Sequence, residues 1–278
     1  GKVAADRIDF GLSGALSNSY GILESASTLN LAAASLDNRY GSLRALGSSG
    51  DTRIAASSLD NRNGKLETAN TNLDLNVASL QSSGGSILHA GTGSFGLSAA
   101  QVTGAGGDLS TNGLLTLNAD SWTNSGVLQA GQLVLNIGNF TQTASGQLLA
   151  GNSFSGSGGN WVNHGLLASD GNFNLNLSGA YSGNGQVTSL GDLTLSAGSI
   201  DLSSSARIAG GGLTNVSAGL LSNFGKLTAA GDLTVTANTL NNRGTLGSAE
   251  KLRLVAPTLV NESGLIFSGD DMTLLVNK

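Results

Sequence analysis

Leu36-Asp37-Asn38-Arg39-Tyr40-Gly41 returns 23 residues later as Leu59-Asp60-Asn61-Arg62-Asn63-Gly64. Each copy is an apolar residue, a spacer, an asparagine, one or two residues and a glycine. The phrase is already present as Leu16-Ser17-Asn18-Ser19-Tyr20-Gly21. It continues as Trp122-Thr123-Asn124-Ser125-Gly126, Trp161-Val162-Asn163-His164-Gly165, Leu221-Ser222-Asn223-Phe224-Gly225, Leu240-Asn241-Asn242-Arg243-Gly244 and Leu259-Val260-Asn261-Glu262-Ser263-Gly264. Weaker copies begin at Leu80, Val102, Phe140, Tyr181 and Ile200, which gives thirteen starts spaced 18 to 23 residues apart. Self-similarity at such a period decides the architecture before any local propensity does.

A second phrase follows within the repeats and alternates strictly: Leu29-x-Leu31, Leu73-x-Leu75, Leu115-x-Leu117, Leu133-x-Leu135, Leu193-x-Leu195, Leu233-x-Val235 and Leu252-x-Leu254. Period-two alternation over a short run is a strand with one face buried. Gly191-Asp192 and Gly231-Asp232 precede two of these runs and supply turn chemistry. The Asn and Gly of the first phrase tolerate left-handed backbone, so they mark a corner. Each repeat is thus two or three short strands without a helical segment. A propeller blade needs about 40 residues, and a leucine-rich repeat usually adds a helical arm. Coils of about 20 residues stacked on one another make an all-β parallel β-helix of about 13 coils. In such a solenoid each coil supports only its neighbours, and adjacent coils lie about 4.8 Å apart.

Composition agrees. Glycine accounts for 42 of 278 residues, Pro257 is the lone proline, and 11% of residues are charged, against roughly a quarter in an ordinary soluble domain. No run approaches the ~20 apolar residues of a membrane helix. An apolar fraction of 39% with net charge −5 argues against disorder, which goes with low hydrophobicity and high charge. Absence of cysteine removes disulfides, thiol nucleophiles and zinc–thiolate sites, and suits a chain exported unfolded through a narrow pore. The opening Gly1-Lys2-Val3-Ala4-Ala5-Asp6 lacks an apolar signal region and lies within the repeat pattern, so the chain reads as an internal fragment of a larger protein.

One β-helical segment is expected over 1–278: regular coils over 1–79, less regular coils over 80–212, and regular coils over 213–278. No Lys or Arg occurs between residues 66 and 206. The recurring Asn18, Asn38, Asn61, Asn124, Asn163, Asn223, Asn242 and Asn261 are read as a structural corner ladder of amides bonded along the axis, as in other stacked strands. Trp122, Phe140, Trp161 and Tyr181 replace the leading aliphatic residue in four consecutive coils and are read as an inward aromatic stack. The competing reading is an outward platform for sugar rings. Gly47-Ser48-Ser49-Gly50-Asp51 is an insertion expected to bulge from a corner.

Chemistry is sparse. Acid–base glycosidase work or calcium binding needs clustered carboxylates, and here the acids are scattered, about one per coil. Asp270 and Asp271 would face opposite ways on a strand. His89 and His164 lie in different coils without a third ligand, so neither a metal nor a cofactor is expected. Gly91-Thr92-Gly93-Ser94-Phe95-Gly96 matches the dinucleotide fingerprint in letters, but no helix follows to present amides to a pyrophosphate. Nucleic acid is excluded by the base-free stretch, since phosphate binding requires cations. Arg39, Arg44, Arg53, Arg62 and Lys65 are interleaved with Asp37, Asp51 and Asp60 as a mixed-charge face. The chain is read as not an enzyme.

The phrase Leu-x-Asn-x-x-Gly-x-Leu with its following Leu-x-Leu resembles the filamentous haemagglutinin repeat, best over Leu16 to Ser79 and Leu221 to Asn277. That repeat builds the stalks of two-partner-secreted exoproteins, among them adhesins and CdiA-type contact-dependent growth inhibition proteins. The resemblance implies a right-handed β-helix, a bacterial cell-surface location, and export through an outer-membrane two-partner transporter. It further implies a stalk that projects an adhesive or toxin-delivery activity. The alternative is a segment that recognises a receptor or glycan on a neighbouring or host cell, sought first in the less regular middle. A carbohydrate-active β-helix enzyme is the remote alternative. Coils cut through the repeat would expose strand edges, which predicts end-to-end association or an unrecognised cap.

Overall fold

The structure, a computed structural model, describes residues 1–105 and 107–277, with 103–105 described by backbone alone. Among the described residues there are 29 strands and no helix. The chain is a parallel β-solenoid of about 14 turns of about 20 residues, one more than the thirteen starts suggest. The additional turn precedes the first phrase: Lys2–Ala5 and Ile8–Gly11 pair in parallel with Ile22–Ser25 and Leu29–Asp37. Two compact units, Gly1–Ile137 and Gly138–Lys278, divide the chain.

In the first unit the coils between Ile22 and Asn124 are each a four-residue strand followed by a long bent one, which the first coil splits into Ile8–Gly11 and Ala15–Ser17. The short strands Ile22–Ser25, Ser42–Ala45, Lys65–Thr68, Ser86–His89 and Asp108–Thr111 stack in unbroken register. They bury Leu23, Leu43, Leu66, Ile87 and Leu109. The long strands turn one arm inward through pairs such as Leu73/Leu75 and Leu115/Leu117, and a second arm through Leu36, Leu59, Leu80, Val102 and Trp122. Three inward faces therefore close around one core, to which each fully buried Leu contributes about 1.5–3 kcal/mol.

The second unit repeats the plan with Leu148, Leu167, Val187, Ile208, Leu227 and Leu246 inside the short strands. Trp161, Tyr181, Ile200, Leu221, Leu240 and Leu259 form the column of the second arm. The weak copies at Leu80, Val102, Tyr181 and Ile200 thus hold the same register as the strong ones.

The corner after the second arm corrects one expectation. The left-handed residue is neither the Asn nor the Gly of the phrase but the residue between them: Tyr20 at φ 53°, Tyr40 at 55°, Asn63 at 55° and Ser263 at 58°. Gly21, Gly41 and Gly64 close the turn by donating to the carbonyls of Asn18, Asn38 and Asn61 at 2.9–3.0 Å. Glycine is required for space. A Cβ on Gly41 would lie 2.6 Å from Asn38 Oδ1 and 2.9 Å from Asn18 Nδ2.

The opposite corner uses another device. Asn72, Asn172, Asp192 and Asp232 each accept, on Oδ1, the backbone N–H of a residue one coil later, at 2.9–3.1 Å, and Asp108 at the first corner and Asn160 at the bend between the arms do the same. This is what the Gly-Asp pairs do: the carboxylate ties its corner to the next. Asp270 and Asp271 lie in such a corner and not on a strand. The insertion at Gly47–Asp51 is pinned from beneath. Buried Asn70 donates through Nδ2 to the carbonyls of Ser27, Gly47 and Ser49 at 2.8, 2.8 and 3.1 Å, and accepts from Thr52 Oγ1 at 2.7 Å.

Candidate functional site

Two polar columns line the interior, one at each corner. At the first, Asn18 Nδ2 donates to Asn38 Oδ1 at 2.7 Å, Asn38 to Asn61 at 2.7 Å, and Asn61 to Ser82 Oγ at 3.3 Å. In the second unit Asn223 donates to Asn242 at 2.8 Å and Asn242 to Asn261 at 2.7 Å. Each amide also reaches a backbone carbonyl past the next corner, such as Ser42, Lys65 and Thr245. Asn124 bonds within its own turn, to the Gly126 carbonyl at 3.1 Å. Asn163 lacks an asparagine opposite it because Gly183 occupies that register. Its Nδ2 donates to the Tyr181 hydroxyl at 3.2 Å and to the Gln186 carbonyl at 3.1 Å. Burial pushes the Tyr181 phenol well above its ordinary pKa, opposed by the Asn163 hydrogen bond.

Ser25, Thr68, His89 and Thr111 occupy the second corner in the first unit, and Ser169, Ser189, Ser248 and Ser268 in the second. Ser189 Oγ bonds the carbonyls of Gly171, Gly191 and Asp192, and Ser248 Oγ that of Gly231 at 2.6 Å. Sequence reading passed over this column. Its signal is a hydroxyl two residues after the inward apolar residue of many short strands, replaced by Ala45, His89, Gly210 and Ala229 in others and easily lost among so many serines. His89, fully buried, belongs to it. Its Nε2 faces the carbonyls of Asn70 and Thr71 at 3.2 and 3.1 Å, so that nitrogen carries the proton, and Nδ1 meets Thr111 Oγ1 at 3.0 Å. His164 is exposed in the second unit, beside Asn184 at 2.6 Å.

The four aromatic residues at phrase starts, Trp122, Phe140, Trp161 and Tyr181, are all buried, none more than 3% exposed. Phe140 meets Trp161 at 4.8 Å with rings tilted by 54°. A second aromatic pair that the spacing did not reveal lies on the other arm: Phe154 and Phe173 stack at 4.4 Å and 12°. The glycines of Gly91-Thr92-Gly93 let a corner pass close to the carbonyls of Asn70 and Thr71. No helix follows them.

Outward-facing aromatics sit elsewhere. Among the described aromatic side chains of 80–212 none is exposed, whereas Tyr20 is 73% and Tyr40 55% exposed on the first corner of the first unit. Their rings stack at 4.9 Å and 7°. Beside them Arg39 grips Asp37 through Nε and Nη2 at 3.0 and 2.7 Å, and Arg62 grips Asp60 likewise at 2.9 and 2.6 Å. Hydrogen bonds from Arg39 and Arg62 hold the Asp37 and Asp60 carboxyls below the usual carboxylate range, and both arginines are raised in return. On the short-strand face Arg44 lies between Glu24 at 3.5 Å and Glu67 at 3.1 Å. Phe224 and Arg243 repeat the aromatic–cation theme on the equivalent corner of the second unit, at 5.8 Å. A shallow groove of about 630 Å³ follows the bend of the long strands in the first unit, floored by Val77 and Ala99 and rimmed by Asn76, Asn118 and Asp120.

The sequence model of the haemagglutinin repeat matches residues 3–49, 43–95, 168–234 and 225–277, leaving 96–167 unmatched. No curated protein and no solved structure matches the chain. With the repeat model covering well over half of a chain whose coils stack in the corresponding register, the protein belongs to the haemagglutinin repeat family.

Proposed function

We propose that this chain is a non-catalytic stalk segment of a secreted bacterial surface exoprotein, projecting an adhesive or toxin-delivery activity from the cell. The observation that carries the reading is the filling of the coils. Three apolar faces and two hydrogen-bonded polar columns occupy the interior of each unit, a construction suited to a rigid stalk. Family membership supports export through an outer-membrane two-partner transporter and a location on the cell surface. Among the described residues no three of His, Cys, Asp and Glu converge. No helix among them is long and apolar enough to cross a membrane.

The register supplies the test. Lys226 pairs with Thr245, so residues 226–244 are one whole coil and can be excised in register. Removing such coils from the parent exoprotein should shorten it by about 4.8 Å each in electron micrographs, and delivery to target cells should fall as the stalk shortens. Delivery indifferent to coil number would overturn the reading. Product release in a polysaccharide depolymerisation screen, with or without calcium, would overturn its non-catalytic part. A receptor- or glycan-recognising segment is the second reading, favoured by the exposed tyrosine corner.

A further inference from the structure

Tyr20, Tyr40, Asn63 and Gly84 occupy one position in four successive coils, linked by backbone hydrogen bonds from Tyr20 to Arg39, Tyr40 to Arg62 and Asn63 to Ser83 at 3.0–3.2 Å. All four are left-handed, with φ between 53° and 67°. Glycine adopts this conformation freely, while a side chain with a Cβ is strained there. Two bulky aromatic residues thus occupy positions where the backbone favours glycine, and both point into solvent. Their rings stack on each other and both stay exposed. Strain held at an exposed position is an observation from which function is inferred.

The column is also stepped. Two tyrosine rings are followed by the shorter Asn63 side chain and then by Gly84, which has none. One face of Tyr40 is covered by Tyr20. The other looks along the column toward Asn63, one coil spacing of about 4.8 Å away, and the drop from the Tyr40 ring to this shorter side chain and then to Gly84 leaves a stepped notch. Beside the notch, the Arg62 guanidinium donates through Nε and Nη2 to the Asp60 carboxylate. Asn63 adds an amide. The charges cancel within each pair, so the surface offers directional donors and acceptors without net charge.

We propose that this notch binds an uncharged pyranose of a surface glycan. The C–H face of the sugar would lie on the electron-rich face of Tyr40, with its hydroxyls bonded to Arg62, Asp60 and Asn63. Anionic ligands are disfavoured because Asp37 and Asp60 already neutralise the arginines. The proposal is independent of the mechanical role: a stalk carrying this site is still a stalk.

Saturation-transfer NMR on the whole chain with methyl galactopyranoside, methyl mannopyranoside, methyl glucopyranoside and methyl glucuronoside tests it. At least one neutral glycoside should receive saturation on its C–H face, with affinity unchanged between low and high salt. Tyr40→Gly should lower that affinity at least tenfold. Because glycine suits the left-handed backbone, the variant should melt at the same temperature or higher, which separates lost binding from lost folding. Absence of transfer to all neutral glycosides would overturn the proposal, as would full binding by Tyr40→Gly. Preference for the glucuronoside with salt-sensitive affinity, or binding confined to a protein partner, would overturn it too.

Discussion

Gly156 and Trp161 share a single volume. Gly156 holds an inward position opposite Leu175, where other coils carry a large aliphatic residue, and a Cβ built on it would lie 2.9 Å from Trp161 Cη2. The indole crosses the coil interior into the space that glycine leaves, meeting Phe154 edge-on at 6.5 Å and 83°. The aromatic start of this coil and its missing Leu-x-Leu are one substitution written in two places.

Gly156→Ala should therefore overpack the core and cost about 1–3 kcal/mol, while Trp161→Leu should open a cavity and cost about 3 kcal/mol. Combining Trp161→Leu with Gly156→Leu restores the pattern of neighbouring coils and should cost less than the two changes added together. Denaturant melts of the singles and the double give the coupling. Strict additivity would show that the two residues do not share the space.

Both tryptophans are buried. Native fluorescence should thus resist acrylamide and iodide until the chain unfolds. A native quenching constant close to that of free indole would place either ring outside.

The asparagine column, we propose, fixes the register of the coils. Asn38→Leu should cost about 2 kcal/mol or more, because it strands the Asn18 donor and the Asn61 acceptor in a dry interior. Tyr181→Phe removes only one of the two acceptors of Asn163 Nδ2 and should cost about 1 kcal/mol. Thermal melts check both, and a Tyr181→Phe loss equal to that of Asn38→Leu would contradict this ranking.

Asp37 and Asp60 have ordinary values of 3.8 that fall on folding, through their hydrogen bonds to Arg39 and Arg62. A depressed carboxylate contributes stability above its unfolded pKa and loses it as pH falls through the folded one. The melting temperature should hold near neutrality and decline as pH drops below about 4. In the Asp37→Asn/Asp60→Asn double variant this decline should be shallower. Both pairs are partly solvated, so the effect is small, as for other surface ion pairs.

Much of the architecture is legible because it repeats. Leu36, Leu59 and Leu80 announce one column, Leu73 and Leu75 another, and period-two alternation leaves no other fold for a 20-residue coil. What could not be read was the division of labour within the corner phrase. Asn and Gly look alike as turn formers, yet here the Asn points inward, the Gly clears its path, and Tyr20 or Tyr40 bears the left-handed backbone. The serine column was hidden by composition, since Ser189 and Ser248 have the same letter as the many serines that are not buried. Trp161 and Phe154 were separable only once the bend between the two arms placed them across the core from each other.

In the ladders Asn18–Asn38–Asn61 and Asn223–Asn242–Asn261 each linking amide nitrogen faces the following coil and the oxygen that receives it faces the preceding one. The column therefore has a direction. A folded coil presents an N–H donor that stays unmet until the next coil arrives, whereas a coil added on the other side would meet only an oxygen. Growth toward the C-terminus is templated by a socket that recognises an oxygen atom and not a residue type. That indifference explains how Ser82 and Tyr181 can stand in for asparagine. It allows coils to be inserted, lost or exchanged during descent, provided each newcomer brings an acceptor to the socket.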